Sequence, residues 1–328
     1  MLYDSKIVMI TGGTGSFGQE FVKYLLQHNV KKVIVFSRDE MKQWQMAKNF
    51  KDSRMRFFLG DVRDKERLNR AMNNVDIVIH AAATKIVPLA EYNPFECVKT
   101  NVNGAMNIVD VAIDQKVSKV IALSTDKACA PVNLYGATKL ASDKIFVSGN
   151  NYSASNTKFA VVRYGNVMGS RGSVIPYFMN IKGKLPITDE RMTRFMITLE
   201  DSIDLVDTAL SEMLGGEIFV KKIPSISIME IAEAINPDFQ YEIIGVRPGE
   251  KLHEQMITIE DAEYTYEYDG YYKILPSINN WNLDPGRISR GVKVASDFSY
   301  SSNINNERMS AETLRMWIQN KSKNFLKI

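Results

Sequence analysis

Two short segments hold the side chains most able to move protons in this chain: Ser124-Thr-Asp-Lys127 and Asn133-Leu-Tyr-Gly-Ala-Thr-Lys139. Asp126, Lys127 and Tyr135 are acid or base candidates, and Thr125 can donate to a reacting oxygen. Apolar Val120 to Leu123 reads as a buried strand, which puts Thr125 to Lys127 at its C-terminal end, where open α/β sheets bind ligands. Tyr135 and Lys139 are spaced one helical turn apart and share a face of the following helix. A lysine cation beside a phenol can lower its pKa toward neutrality, which would make Tyr135 a general base and Lys139 its tuner. Taken alone, Tyr-x-x-x-Lys also fits an ordinary amphipathic surface helix.

The elements needed to position these groups are legible upstream. Apolar Lys6 to Ile10 runs directly into Thr11-Gly-Gly-Thr-Gly-Ser-Phe-Gly18 and then into a helix with Phe17, Phe21 and Leu25 at four-residue spacing. This is the context a dinucleotide fingerprint requires. Gly12 permits the tight turn, Gly15 lets the backbone approach a pyrophosphate, and Gly18 permits close helix packing. Thr14, Ser16 and Phe17 complete the loop, with the phosphates at the helix N-terminus. A second strand, Lys32 to Phe36, ends in Ser37-Arg38-Asp39, where an NAD site would usually carry a carboxylate for the ribose. Ser37 and Arg38 suit a 2′-phosphate, so NADP is the expected cofactor; the alternative leaves Arg38 solvated and Asp39 on the ribose. Met55 to Leu59 and Asp76 to His80 read as further strands. Asp61 and Val62 fall at the adenine side, and Ala81 and Ala82 leave room for the nicotinamide half. Asn101 is placed to support the catalytic helix through water.

Alternation of strands and helices through Val167 predicts an α/β fold, a doubly wound parallel sheet of the Rossmann type, with a smaller C-terminal substrate domain. The expected division is residues 1–167 for the cofactor and 168–328 for the substrate. Ser202 to Met213 reads as helix and Glu217 to Val220 as strand, and some of these later segments are expected to pack back on the first domain. The 328 residues, 45% of them hydrophobic, are enough for a large core. No run approaches the roughly 20 apolar residues of a membrane span, and no signal peptide precedes Lys6, so no membrane partner and a cytoplasmic location are expected. Net charge is +3, which gives no reason to expect nucleic acid. Two cysteines make no disulfide framework, and three scattered histidines lack metal-ligand spacing.

The second half carries candidate anion anchors. Asn166 sits in Arg163-Tyr-Gly-Asn-Val167 and can donate to a phosphate or sugar hydroxyl. Arg171, Arg191, Arg194 and Arg247 are guanidiniums in loop contexts, and guanidinium forks match phosphate oxygens. In Arg247-Pro-Gly-Glu-Lys-Leu-His-Glu254, Arg247 could hold a diphosphate while Glu250 accepts ribose hydroxyls. An ordinary surface ion pair is the alternative for each arginine.

With these segments in order, nearly the whole chain resembles the extended short-chain dehydrogenases/reductases that act on nucleotide sugars. More narrowly it is similar to the inverting UDP-N-acetylglucosamine 4,6-dehydratase family of pseudaminic acid biosynthesis. The glycine loop and Tyr135 mark the superfamily; Asp126-Lys127 and Arg247 to Glu254 mark the dehydratase branch. The resemblance implies UDP-N-acetylglucosamine as substrate, Lys85 and Thr188 among the groups that bind it, and a homo-oligomer such as a hexamer. It also implies chemistry: Tyr135 takes the O4 proton during C4 oxidation, Lys127 removes the C5 proton, and protonated Asp126 serves the departing O6. Lys127 is expected to have its pKa lowered by burial and neighbouring cations. The chain departs from the family pattern at Ile86, often histidine, and at Met196, often tryptophan.

Three other readings fit parts of the pattern. A nucleotide-sugar 4-epimerase needs the same Tyr135, Lys139 and glycine loop but has no use for Asp126-Lys127. A retaining 4,6-dehydratase is expected to carry methionine where this chain has Tyr135. A non-catalytic NADP-binding scaffold would not need an intact Thr125, Tyr135 and Lys139.

Overall fold

The computed structural model describes residues 2–153, 156–170 and 172–325. Its frame is a ten-stranded sheet whose parallel part contains β1 (Ile7–Thr11), β2 (Lys32–Ser37), β3 (Met55–Leu59), β4 (Ile77–His80), β5 (Lys119–Leu123) and β6 (Lys158–Arg163). Their spatial order is β3-β2-β1-β4-β5-β6, so the direction of winding reverses between β1 and β4. Every residue of β1 and β4 is buried, as expected for parallel strands covered by helices on both faces. Register aligns Thr11 with Phe36 on one side and His80 on the other. The turns that follow these strands therefore open at the same edge, and a crevice forms outside the switch point.

Later segments extend the same sheet. Ile218–Lys221 lies parallel beside β6, and Tyr271–Ile274, Thr265–Tyr268 and Val292–Lys293 follow antiparallel. The helix read as Ser202 to Met213 spans Leu199–Glu212, because Thr198 caps it by accepting from Asp201 N at 3.0 Å. A smaller core gathers Met168, Ile175, Phe178, Ile187, Met196, Ile231 and Leu314. In front of it Thr193–Ile197 pairs with both Asn166–Val167 and Ser225–Ser227. That pairing carries Asn166 and Arg194 to the rim of the crevice.

Candidate active site

The crevice is a cleft of about 830 Å³ running from the glycine loop to the Arg247–Glu250 turn. At one end lie Gly12, Thr14, Gly15, Ser16, Phe17 and Gly18. Gly12 has φ +66°, and a Cβ there would press on the Ala81–Ala82 backbone. A Cβ on Gly18 would overlap the Gly13 backbone, whereas at Gly15 it would meet only the Gly12 oxygen at 3.3 Å while filling the space left for a ligand. Thr14 Oγ1 and Ser37 Oγ are 2.9 Å apart, which ties the loop to the tip of β2. Asp39 is occupied as a helix cap, accepting from Lys42 N at 2.9 Å, and does not line the cleft. Arg38 and Lys42 do line it, Arg38 standing 3.8 Å from Asp61. Asp61, Val62, Ala81 and Ala82 complete this half, and Asp64 caps the next helix. A glycine cradle at a helix N-terminus, opening into a long cleft, fits the pyrophosphate of a nicotinamide dinucleotide.

The middle of the cleft is formed by Thr125, Lys127, Tyr135 and Lys139. A 3-10 turn, Asp126–Ala128, follows β5, and the helix Leu134–Gly149 is capped by Asn133, which accepts from Gly136 N at 2.7 Å. Asn101 reaches that helix directly, donating to Thr138 Oγ1 at 3.0 Å, rather than through water. Asp126 lies beneath the surface: its Oδ1 accepts from Thr125 Oγ1 at 2.9 Å and Lys127 Nζ at 3.1 Å, and its Oδ2 has no hydrogen-bond partner. Lys127 Nζ also meets Asn166 Oδ1 at 3.3 Å and Glu254 Oε1 at 3.2 Å. Behind the helix, Asp143 accepts from Ser124 Oγ at 2.7 Å and Arg163 at 3.2 Å.

The ionisation of this cluster corrects two expectations. Burial alone would lower the Lys127 ammonium, but Asp126 and Glu254 outweigh burial, and its pKa is raised instead. Tyr135 is pushed up to about 12, chiefly by burial; Lys127 and a hydrogen bond from Thr125 pull the other way without prevailing. The expected tuner, Lys139, is itself lowered by burial, with Asp143 opposing. Asp126 is raised by burial, further by Glu254, and lowered by Lys127.

At the far end, Lys85, Asn166, Arg194, Arg247 and Glu250 line the cleft. The Arg247 turn is remote from the catalytic helix in sequence but adjoins it in space: Asn133 Nδ2 donates to Gly249 O at 2.7 Å. Arg247 and Glu250 approach to 3.7 Å. Thr188 and Arg191 do not line the cleft, since Thr188 turns toward Met192 Sδ and Arg191 pairs with Asp189 at 2.7 Å. Arg171 lies outside the described residues. Ile86 borders the cleft, whereas Met196 is buried in the smaller core. Among the described residues no group of histidine, cysteine and carboxylate side chains could hold a metal, and no helix is long and apolar enough to cross a membrane.

Lys42, Gly136 and Glu254 carry no local sequence signal, and their places at the site come from contacts made only in the fold. A Cβ on Gly136 would overlap the Lys127 carbonyl oxygen, so the helix can dock on the Asp126–Ala128 turn only with glycine there. Gly136→Ala is expected to cost about 1–3 kcal/mol in stability through overpacking. It should also lower turnover by displacing Lys127. Thermal melting and steady-state kinetics check this, and unchanged turnover would show that the turn yields without consequence.

Strand order, glycine loop and the Tyr135–Lys139 helix are those of the extended short-chain dehydrogenases/reductases. The chain belongs to the polysaccharide biosynthesis protein family, whose model matches residues 8–276. It is 52% identical to an inverting UDP-N-acetylglucosamine 4,6-dehydratase of Campylobacter jejuni, across 99% of this chain and 100% of that one. A UDP-glucose 4-epimerase of Rickettsia akari is 40% identical over 96% of this chain and 95% of its own length. The X-ray structure of Pen from Bacillus thuringiensis superposes with a TM-score of 0.90 at 37% identity, covering 98% of this chain and 99% of that chain.

Proposed function

We propose that this protein is an NADP-dependent UDP-N-acetylglucosamine 4,6-dehydratase that inverts C5 and supplies pseudaminic acid synthesis from the cytoplasm. The observation that carries the reading is that Lys127, paired at 3.1 Å with the enclosed Asp126, lines the same cleft as Tyr135 and the glycine cradle. Residues 1–167 bring the cofactor cradle, and 168–328 bring most of the anchors for the nucleotide sugar.

A nicotinamide cofactor bound in this cradle supplies a hydride acceptor and later a hydride donor. Tyr135 accepts the O4 proton as C4 is oxidised, with Thr125 holding O4 and Lys139 positioned one turn along the helix. The C4 ketone acidifies the C5 proton, which passes to Lys127. Asp126, favoured in its neutral form by burial, supplies the proton for departing O6. Being fully enclosed, it does so through Thr125 or Lys127, the groups in contact with it. Return of a proton to C5 from the opposite face inverts that centre. Arg194 and Arg247 suit the diphosphate, Glu250 the ribose, and Lys85 and Asn166 the sugar.

The 4-epimerase reading has a relative behind it, but an epimerase removes no C5 proton and expels no hydroxyl, so it leaves Asp126-Lys127 without work. Incubation with UDP-N-acetylglucosamine in deuterated water, followed by proton NMR, separates the two. Dehydration with deuterium at C5 and inverted configuration is expected; a C4-epimerised sugar without C5 exchange overturns the proposal.

Cofactor choice has its own test. Arg38→Ala should weaken NADP by roughly tenfold to a hundredfold, the worth of a charge-assisted hydrogen bond, and leave NAD nearly unchanged. Equal losses in a binding titration would assign Arg38 a structural part.

A further inference from the structure

Glu254 is the one carboxylate at the catalytic centre for which the proposed reaction has no use. It is 2% exposed yet borders the cleft, its Oε1 lies 3.2 Å from Lys127 Nζ, and its Oε2 has no hydrogen-bond partner. A charged lysine cannot accept the C5 proton, so Lys127 must first lose one. Two carboxylates touch its ammonium. Asp126 is fully enclosed and, in the proposed reaction, is the group that enters as a neutral acid. Glu254 is left as the acceptor.

We propose that Glu254 is the proton acceptor for Lys127: when the nucleotide sugar fills the cleft, the Lys127 ammonium passes a proton to the Glu254 carboxylate, leaving the free amine that removes the C5 proton. One N–H bond breaks and one O–H bond forms, and the pair's net charge does not change. This inference rests on the dehydratase reading.

The physical drive is desolvation. An ion pair deprived of water loses the hydration that favoured it, and transfer of one proton gives a neutral amine and a neutral acid that are far cheaper to enclose. With the cleft open, charge opposes the transfer. Glu254 faces Lys127 from the turn after β5, Arg194 at 4.0 Å from the Thr193–Ile197 strand, and Lys251 at 4.0 Å from its own segment. Burial would raise its carboxyl, but these cations outweigh burial and lower it. Lys127 in turn faces Asp126, Glu254, Arg194 and the Tyr135 phenol. Arg194 also lines the cleft, so a diphosphate on its guanidinium would offset the positive field acting on Glu254 as the substrate displaces water. The transfer is thereby tied to the substrate's arrival. Glu254 acts through Lys127 and is a positioning residue rather than a catalytic one.

The test uses the full-length protein with NADP and UDP-N-acetylglucosamine. Glu254→Gln keeps the side-chain shape but accepts no proton. Its kcat at neutral pH should fall by roughly tenfold to a hundredfold with KM little changed. The ratio of variant to wild-type kcat should rise by up to about tenfold per pH unit on the alkaline side, where water and hydroxide relieve Lys127 of its proton. Because C4 oxidation precedes the blocked step, reduced-nicotinamide absorbance should accumulate while C5 exchange in deuterated water slows. Glu254→Asp, which retains a carboxylate, should recover part of the rate, and it carries the test if the glutamine variant does not fold. A loss that is uniform across pH, or a kcat within twofold of wild type, overturns the proposal. If the wild-type protein itself produces no dehydrated sugar, the dehydratase reading fails first and this inference falls with it.

Discussion

Lys127→Ala should abolish dehydration of UDP-N-acetylglucosamine, lowering kcat by roughly 10²-fold or more, while NADP still binds. Lys127 Nζ is held by Asp126, Glu254 and Asn166, and the Gly12 to Gly18 cradle and Arg38 belong to other elements. Removal of the amine therefore leaves the cofactor contacts in place and takes away the C5 base. It also takes from the buried Glu254 carboxylate its nearest cation, and breaking a buried pair typically costs about 3–5 kcal/mol, so lost activity could be confused with lost folding. Lys127→Arg separates the two. Its guanidinium preserves the positive charge and does not deprotonate in a protein, so it should melt near the wild-type temperature and still fail at C5. The measurement is C5 deuterium incorporation alongside reduced-cofactor absorbance: exchange should vanish while C4 oxidation continues. Near-normal turnover in either variant would remove Lys127 from the role of base.

How much of this was legible in the sequence depends on the range of the interactions involved. The glycine loop, the apolar strands and the Tyr135–Lys139 spacing are local patterns, and local periodicity carries them. The doubly wound sheet follows from the same alternation, whereas the strand order and the crevice between β1 and β4 emerge only in the fold. Nor does the ionisation state of Lys127 follow from that alternation: adjacent Asp126 raises its pKa most, and Glu254, distant in sequence, adds to that after arriving through the packing of Thr193–Ile197 against the segment around Leu252. The burial expected to lower Lys127 is present, but it brings two carboxylates with it, and the charges win. Tyr135 shows the converse: Lys139 shares its helix face, yet burial dominates the phenol. Gly136 was silent because its reason is the Lys127 carbonyl, a contact between two elements. Arg191 looked like an anion anchor by type and setting, and no spacing rule announces that Asp189, two residues away, occupies its guanidinium.

Tyr135→Phe should stop the reaction one step earlier than Lys127→Ala. The ring packs with Ala90 and Cys97 and is 8% exposed, so phenylalanine keeps the packing and deletes only the hydroxyl. Without that hydroxyl the O4 proton has no acceptor, and C4 oxidation should slow by roughly 10²- to 10⁴-fold. The C5 proton becomes acidic only after the ketone forms, so the variant should show neither reduced cofactor nor C5 exchange. The lysine variants differ in keeping the first signal and losing the second. The pH dependence has a definite sign. The phenol in the open cleft is pushed up to about 12, so the basic form is scarce at neutral pH and grows as pH rises. Wild-type kcat/KM should therefore climb toward alkaline pH, and the climb due to this group should disappear in the phenylalanine variant. Accumulation of reduced cofactor in Tyr135→Phe would mean that another group, with Lys139 nearest along the helix, accepts the O4 proton, and the order of steps would have to be reassigned.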